Sequence, residues 1–518
     1  VVMMVETFVF RHRQSLIRQS LLLFGSMAVF TALWFAYPHR FNASDPWEYS
    51  LRAYELMRHG HFGAPAGGDL QTFDFRFSVY APMSLIYALF GVNLITTHLY
   101  SLLAALGVIG IVWAALPDTK SKLFGMGLCL ISVPLHDASI DLYPDLIAAT
   151  AMAASVLLLN FRWACVEHAV RGPIFAALAV FFVFFAFAAK ATAYWVVPVW
   201  LVAFASDLRA DDAKRVIARF YAPAMVAALV LAVAYLFFTY YVWGDPLARF
   251  RVIEAAIARQ HASPDTWWTI YSGFGLLRRL TVDPAIMLYH GYGAVLFMSF
   301  LCLFVLPRVL VLWGCYVASC LILFWFGPTG LSHYDVLPLY PRYLLPALPG
   351  LIVLAAYFAS RIRIGSGHRT VNRALAAALV LAVAMPPSIK YVRAWNWDHL
   401  AEAEAMQIVK QEVSRHPDTQ FGLVSADARS AKSLAFYFGY ELPKNLRLIA
   451  AADLGRAVLS ADRFFLFAED DRSRFLNEAY GDRVFNDEFR AAGLPQLYRR
   501  GAVTLYTAGH LDQLRELR

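Results

Sequence analysis

The chain has 518 residues, of which 59% are hydrophobic and only 16% are charged, and its mean hydropathy is +0.52. This composition excludes an ordinary soluble enzyme, because apolar runs near the ~20 residues needed to cross a bilayer recur through the first three quarters of the chain. The net charge of +8 does not indicate nucleic-acid binding. Residues 389–518 contain 18 basic and 18 acidic residues, so the whole excess lies in the apolar part, where orientation in a membrane explains it.

Eleven apolar segments predict a polytopic α-helical membrane protein. Arg11, Arg13 and Arg18 precede the first segment, and each short loop assigned to the inner side carries Lys or Arg. The positive-inside rule therefore puts the N-terminus in the cytoplasm and the C-terminal part outside. No small-residue cleavage site follows the first segment, which is predicted to be a retained helix. The predicted helices are 21–37, 93–116, 123–135, 145–160, 173–188, 192–206, 221–241, 285–306, 309–327, 343–359 and 374–388.

Two domains are predicted, a transmembrane domain of residues 1–388 and a small soluble α/β domain of residues 389–518. The second contains short apolar runs separated by polar segments, but no Gly-rich phosphate loop, metal cluster or nucleophile motif. Its predicted strands are 421–425, 446–449, 463–467 and 503–506, and its predicted helices are 430–440 and 454–460.

The first outer loop, residues 38–92, opens with an acidic residue and a predicted helix. An apolar stripe recurs at helical spacing from Trp47 to Tyr54, which predicts an amphipathic helix lying in the membrane interface. Asp45 precedes Pro46, a residue suited to the first helical turn. The carboxylate of Asp45 either caps this helix or takes part in chemistry where lipid meets water, and the two roles are compatible.

Polar residues also gather in the other predicted outer loops. Asp137, Asp141 and Asp145 recur at four-residue steps, which would put them on one face of a continuous helix. Pro144 predicts that a new helix starts there, so Asp145 either caps that helix or belongs to a site. Lys190 stands alone between two apolar runs, where a lysine either reaches the lipid headgroups or binds an anion.

Three segments resemble the GT-C glycosyltransferases, which include the lipid A aminoarabinose transferases, the protein O-mannosyltransferases and the bacterial transferases that decorate the lipopolysaccharide core. The pattern from Asp45 to Gly60 resembles their first outer loop, just past the first helix. Residues 80–91 are similar to their Pro-Leu-x-Tyr…Gly segment, and residues 342–350 resemble a stretch late in their membrane domain. With the overall topology, the resemblance covers residues 20–390.

The resemblance implies a multi-pass enzyme of the bacterial cytoplasmic membrane. It would move a sugar from a polyprenyl-phosphate donor to a hydroxyl of a lipid, glycan or protein acceptor on the outer face. Asp45 would be the general base, with inversion at the anomeric carbon. Ala81 stands where the aminoarabinose transferases have Lys, which leaves the donor and the acceptor open.

Further candidate residues follow from the same resemblance and from their predicted place in outer loops. Asp141 and Asp145 would orient the acceptor, and Lys190 would bind the leaving phosphate. Two outer carboxylates could hold a divalent cation, but no DxD motif occurs, so a mechanism without metal or other cofactor is predicted. The candidate substrate-binding residues are Glu48, Tyr49, Arg76, Lys190, Arg259, His261, His333, Tyr340 and Arg342.

Some of these residues have simpler interpretations. Arg259 and His261 could belong to a solvated helix face, whereas His333, Tyr340 and Arg342 could anchor the chain at the interface. The whole protein could instead be a transporter or flippase, which would need charged residues paired within helix centres or broken helices near the midplane. It could also be a non-catalytic membrane component that acts through its C-terminal domain.

Overall fold

The computed structural model describes residues 2–36, 45–63, 70–166, 170–262, 287–327, 340–362, 398–425, 434–450, 461–469, 495–500 and 503–508. The chain forms two compact units, and both are discontinuous in sequence. The helical unit comprises residues 1–36, 61–81 and 100–392, and the sheet unit comprises residues 37–60, 82–99 and 393–518.

The described residues are mostly α-helical. In chain order the α-helices are α1 (Val2–Ala36), α2 (Asp45–His59), α3 (Phe77–Phe90), α4 (Leu94–Ala115), α5 (Thr119–Ile131), α6 (Val133–Ser139), α7 (Pro144–Asn160), α8 (Arg162–Val166), α9 (Arg171–Ala189), α10 (Val197–Asp207), α11 (Ala213–Val216), α12 (Ala222–Trp243), α13 (Ala248–Ala262), α14 (Gly293–Leu303), α15 (Val311–Phe326), α16 (Leu348–Arg361) and α17 (Asp398–Arg415). Short 3₁₀ segments precede α10, α15 and α16, and π turns precede α12 and α14.

Six helical segments of the described residues are long and apolar enough to cross a membrane, or seven if the bent pair α6–α7 is one span. Each of the six overlaps a predicted helix. The predicted crossing at 374–388 and the predicted domain boundary at residue 388 lie outside the described residues, so the count of eleven stays a prediction. The six segments are Gln19–Ala36, Leu94–Ala115, Arg171–Ala189, Ala213–Trp243, Arg308–Phe326 and Pro341–Arg361.

The helix predicted at 123–135 ends earlier than expected. α5 stops at Ile131, and the Ser132 hydroxyl then accepts a hydrogen bond from the backbone N–H of Leu135, which starts the short helix α6. A serine cap with Pro134 in the first turn is a helix-start signal inside an apolar run. α6 and α7 meet at an angle of 116°, so the three aspartates of this region do not share one continuous helix face.

Residues predicted for the inner side of the membrane lie together at one end of the helical unit. Asp118 forms an ion pair with Arg361 at 2.8 Å, and the Lys122 ammonium donates a hydrogen bond to Gln19 at 3.3 Å. These contacts join α1, α5 and α16, whose ends are far apart in sequence. The grouping agrees with the sidedness that the basic loops predict.

The sheet unit contains five strands in the order β2-β1-β3-β5-β4. The strands are β1 (Phe421–Ser425), β2 (Leu446–Ala450), β3 (Arg463–Glu469), β4 (Gln496–Arg500) and β5 (Val503–Ala508). β1 is parallel to β2 and β3, whereas β5 is antiparallel to β3 and β4. Helix α17 buries Ala405, Met406, Val409 and Val413 in the core of this unit. The four predicted strands and the α/β class are confirmed; β4 and α17 were not predicted.

The amphipathic helix predicted in the first outer loop is α2, and its apolar stripe packs against protein within the sheet unit. Trp47 contacts Phe436, and Leu51 packs against this pair together with Val92 and Leu94. Residues 430–440, predicted as a helix, include only the 3₁₀ turn Ala435–Phe438 among their described part. The predicted helix at 454–460 lies outside the described residues.

Candidate active site

The backbone break after α9 delivers Lys190 to the end of a membrane helix. α9 ends at Ala189, Lys190 is extended (φ −154°, ψ 141°), and a 3₁₀ turn follows from Ala191 to Val196. The Lys190 N–H still donates to the carbonyl of Ala186 at 2.8 Å. Because the chain changes direction here, the lysine side chain projects from a helix terminus rather than from a helix face.

The ammonium group of Lys190 is buried and forms an ion pair with Asp145. Asp145 is the second residue of α7, where a carboxylate interacts favourably with the helix N-terminus. One carboxylate oxygen, Oδ1, accepts from Lys190, whereas Oδ2 is buried and has no hydrogen-bond partner among the described residues. An unmet buried acceptor is costly, so it marks a place where a donor group of a ligand would be stabilised.

Arg342 adds a second cation beside a tyrosine ring, that of Tyr343, which Lys190 also contacts. The Lys190 ammonium lies 3.7 Å from the centre of the Tyr343 ring, and the Arg342 guanidinium lies 5.2 Å from that ring and 5.0 Å from the Tyr143 ring. Tyr340 is 6.0 Å from the same guanidinium. The rings hold the cations by cation–π attraction, so two positive charges lie beside the ring of Tyr343.

The backbone that carries Arg342 is held in place by Tyr292. The Tyr292 hydroxyl donates to the carbonyl of Pro341 at 3.0 Å, at the start of the 3₁₀ turn Pro341–Ala347. Tyr292 itself is only 1% exposed. A buried tyrosine thus fixes the entry of α16 and the direction of the two residues that follow Pro341.

Burial lowers the pKa of Lys190 to about 8. Asp145 opposes this shift, because its negative charge favours the ammonium form. The positive charges of Arg342 and Arg76 add to the lowering, which shows that three cations act on the same region. Arg76 follows a turn at residues 72–75, and its guanidinium lies 5.4 Å from the Phe73 ring.

The structure brings five predicted residues of the helical unit into this region: Asp145, Lys190, Tyr340, Arg342 and, through its charge, Arg76. Asp141 lies in the turn between α6 and α7, is buried, and accepts a hydrogen bond from the Leu142 N–H at 2.8 Å. Tyr143 and Tyr343 were not predicted as site residues. Their signal in the sequence was position alone, since each directly adjoins a residue, Pro144 or Arg342, that the sequence analysis had singled out.

Three further predicted residues lie on α2, in the sheet unit: Asp45, Glu48 and Tyr49. Asp45 is its first residue and is half-buried. Glu48 is buried and accepts a hydrogen bond from Arg52 at 2.5 Å, and Tyr49 is fully buried. The pairing with Arg52 makes Glu48 part of the internal support of α2.

Three predicted residues fall outside the description of side chains. The backbone of Arg259 and His261 belongs to α13, but their side chains lie outside the described part, and His333 lies outside it altogether. Among the described residues no group of three or more His, Cys, Asp or Glu could hold a metal ion. The metal-free mechanism stays a prediction.

Comparison with solved structures shows the fold. ArnT from Cupriavidus metallidurans in the apo state matches with a TM-score of 0.55 at 14% identity, over 93% of this chain and 98% of that chain. ArnT bound to undecaprenyl phosphate matches with a TM-score of 0.56 at 13% identity, over 93% and 97%. The oligosaccharyltransferase of Archaeoglobus fulgidus in the apo form matches with a TM-score of 0.51 at 12% identity, over 92% and 73%. No family model and no curated protein matches this sequence.

These solved structures belong to the GT-C superfamily of glycosyltransferases. The chain has the GT-C fold. Together with the apolar helices, this fold makes it a multi-pass membrane protein with a small C-terminal sheet domain. At this level of identity the GT-C likeness concerns architecture, and the roles of individual residues have to be argued from their own chemistry.

Proposed function

We propose that the chain is a membrane glycosyltransferase that moves a sugar from a polyprenyl-phosphate donor to a hydroxyl group of an acceptor. The GT-C fold supports the reaction class. ArnT, one of the structural neighbours, has been solved with undecaprenyl phosphate bound, and this supports a lipid phosphate as the donor's carrier. The sugar and the acceptor are left open.

The observation that carries the proposal is the pair of cations on the tyrosine rings of the helical unit. Loss of a sugar leaves a lipid phosphate with increased negative charge, and preorganised cations stabilise such charge as it develops. Lys190 and Arg342 are suited to this role because both lie against aromatic rings, and Lys190 is also buried away from bulk water. Asp145 holds the ammonium of Lys190, and its second oxygen can accept a hydrogen bond from a hydroxyl of the substrate.

The acceptor hydroxyl must lose a proton as it attacks the anomeric carbon, and Asp45 is proposed as the base. It is the first residue of α2 and is partly exposed. Attack opposite the phosphate forms the new C–O bond as the old C–O bond breaks. The proton goes to Asp45, the electron pair goes to the lipid phosphate, and the anomeric centre is inverted.

A transporter is the second candidate because α6 and α7 form a broken helix and the described residues of the helical unit include two buried ion pairs. Both pairs, Lys190–Asp145 and Arg162–Asp207, join residues at helix ends rather than helix centres. Asp207 also accepts hydrogen bonds from Tyr221 and Trp163, so its interactions are those of a structural joint. This placement favours interfacial chemistry over a charge that moves through the bilayer.

The test is Asp45→Asn in cells whose envelope glycolipids are followed by mass spectrometry. We expect loss of one sugar modification while protein level and membrane insertion stay normal. Glu55→Gln is the matched control, since it neutralises another carboxylate of the same helix and should leave the modification in place. Full activity of Asp45→Asn would remove the base assignment. If Lys190→Met binds undecaprenyl phosphate as tightly as the parent protein does, Lys190 does not bind the lipid phosphate.

A further inference from the structure

We propose that Tyr440, in the C-terminal part of the chain, is a positioning residue that fixes the orientation of α2 and thereby of Asp45. The inference rests on the proposed role of Asp45 as the base. It assigns a task to the C-terminal part, which the sequence left without one. All the contacts that support it lie within the sheet unit.

Four hydroxyl groups, three of them on buried residues, form a continuous chain from Tyr440 into the neighbouring helices. The Tyr440 hydroxyl donates to Ser50 of α2 at 2.9 Å. Ser50 lies 2.7 Å from the Tyr87 hydroxyl of α3, which in turn lies 2.7 Å from the Thr97 hydroxyl of α4. Residues from four segments, separated by up to 390 positions, are therefore linked by side-chain hydrogen bonds.

The direction of every hydrogen bond in this series of hydroxyl groups follows from the last group, that of Thr97. The Thr97 hydroxyl donates its single proton to the carbonyl of Asn93 at 2.7 Å. Tyr87 must therefore donate to Thr97, and Ser50 must donate to Tyr87, because each hydroxyl has one proton. Ser50 is left with acceptor capacity only, and Tyr440 supplies its donor. The chain is complete only when the Tyr440 hydroxyl is present.

The backbone of Tyr440 adds a second, independent observation. The turn Ala435–Phe438 ends in a Schellman-type motif, in which the Gly439 N–H bonds to the carbonyl of Phe436 and the Tyr440 N–H bonds to that of Ala435. Gly439 supplies the left-handed residue that the motif needs. Tyr440 is also left-handed, at φ 62°, and it is the only such non-glycine residue of the described chain.

A tyrosine in this conformation is disfavoured and persists only where its surroundings hold it. Here the hydroxyl bond to Ser50 and the packing of the ring hold it, since the ring lies 5.1 Å from that of Tyr54. Glu441, the next residue, reaches Arg58 at 3.4 Å. The residues that follow the turn thus touch α2 at its middle and at its end, while Phe436 touches Trp47 near its start.

These contacts determine what α2 can do. A helix attached at Trp47, Ser50 and Tyr54 cannot rotate about its axis without breaking the hydroxyl chain. Asp45 lies only two residues before Trp47, so the direction of its carboxylate depends on the same attachment. A general base needs such fixed geometry, because small displacements of a reacting group cause large losses of rate.

The first arm of the test measures α2 directly, by hydrogen exchange of the full-length protein in lipid nanodiscs. Tyr440→Phe keeps the ring and removes the hydroxyl, and we expect the amides of α2 to exchange about fivefold faster. Ser50→Ala should give the same effect, and the double variant should be no worse than the stronger single one. Tyr498→Phe is the control, because it removes one hydroxyl bond, to Glu404, in the same unit but away from α2.

Unchanged exchange of α2 in Tyr440→Phe would overturn the inference, as would an equal effect of Tyr498→Phe. The second arm follows the rate of the glycolipid modification in cells and, as a probe of the donor site, the binding of undecaprenyl phosphate: we expect Tyr440→Phe to lower the rate about tenfold while the affinity for the probe stays the same. A change of affinity with an unchanged rate would also overturn it. If α2 loosens in Tyr440→Phe but Asp45→Asn remains fully active, the attachment of α2 stands and the proposed base falls.

Discussion

Burying an ammonium and a carboxylate together loses more hydration free energy than their attraction provides, unless two conditions hold. The geometry of the pair must be good, and the remaining hydrogen-bond donors and acceptors must be satisfied. Lys190 and Asp145 do not meet the second condition, since Asp145 Oδ2 accepts no hydrogen bond within the described part of the chain. Such a pair contributes little to stability compared with an apolar pair of the same size. Its retention is better explained by what it can bind than by what it stabilises.

The lowered pKa of Lys190 predicts that kcat/KM for the donor falls as the pH becomes alkaline, giving an alkaline limb in the pH profile. Below about pH 8 the ammonium is charged and attracts phosphate; as pH rises through this value it is deprotonated and the attraction is lost. We expect kcat/KM for the donor to fall about tenfold per pH unit above that point, far below the ordinary lysine pKa of ~10.4. Measuring the rate from pH 6 to 10 checks this.

Lys190→Arg is the control, because a guanidinium stays charged throughout this range and should lack the limb. Unfolding of the protein does not explain the fall in rate. Between the lowered pKa of Lys190 and the ordinary lysine pKa, the unfolded chain binds more protons than the folded one. The contribution of Lys190 to stability therefore increases as the pH rises. An identical alkaline limb in Lys190→Arg would assign it to another residue.

At the same scale, the charged residues of the site could be predicted from the sequence, whereas two of its aromatic residues could not. Asp145, Lys190 and Arg342 were predicted because a charge beside an apolar run needs an explanation. Tyr143 and Tyr343 carry no such signal in a chain with 26 tyrosines. Only the fold shows that the rings of two distant segments meet at Arg342 and that one of them, Tyr343, also contacts Lys190.

At the scale of elements, apolar pattern predicted most helices and the buried strands but missed amphipathic and polar ones. β4 pairs only with β5 at the sheet edge and has an irregular register, and its sequence of Gln, Leu, Tyr, Arg and Arg has no apolar alternation. α17 is rich in charge, and its four buried residues become visible as one face only when the 3.6-residue period is tested. The start of α6 was overlooked because its cap lies inside an apolar run.

Close packing of α15 on α16 leads to a prediction about glycine. A Cβ at Gly350 would lie 2.7 Å from Val317 and 2.9 Å from Tyr316, whereas a Cβ at Gly127 in α5 would meet nothing within 4 Å. We therefore expect Gly350→Ala to lower the free energy of unfolding by about 1–3 kcal/mol. Gly127→Ala should raise it by about 0.5–1 kcal/mol, because alanine favours the helix.

Thermal unfolding of Gly350→Ala and Gly127→Ala in the same detergent shows whether the free energy of unfolding changes in opposite directions. Tyr316 is itself held by a hydrogen bond from its hydroxyl to the carbonyl of Pro346, so its ring has little freedom to move away from a new methyl group. Equal effects of the two substitutions would show that α15 and α16 are packed less closely than the structure indicates.

For the whole molecule, the two compact units do not correspond to two consecutive halves of the chain. The sheet unit takes residues 37–60 and 82–99 from the first quarter and combines them with the C-terminal residues. The change of composition near residue 388 predicts a domain boundary there, and this boundary would leave the first outer loop in the membrane domain. Contacts between residues such as Ser50 and Tyr440 are long-range side-chain bonds that no local pattern encodes.

Sidedness is the property of the whole molecule that the charge pattern predicts most directly. The positive-inside rule puts residues 38–92 outside and residues 207–219 inside. Gln71 and Asp212 are exposed members of these two loops. In intact cells, a membrane-impermeant maleimide should label Gln71→Cys at once and Asp212→Cys only after permeabilisation. The parent chain with its five cysteines gives the background, and three of these, Cys129, Cys302 and Cys320, are buried. Labelling in the reverse order would put the loop that precedes Arg76 in the cytoplasm and would contradict a reaction on the outer face.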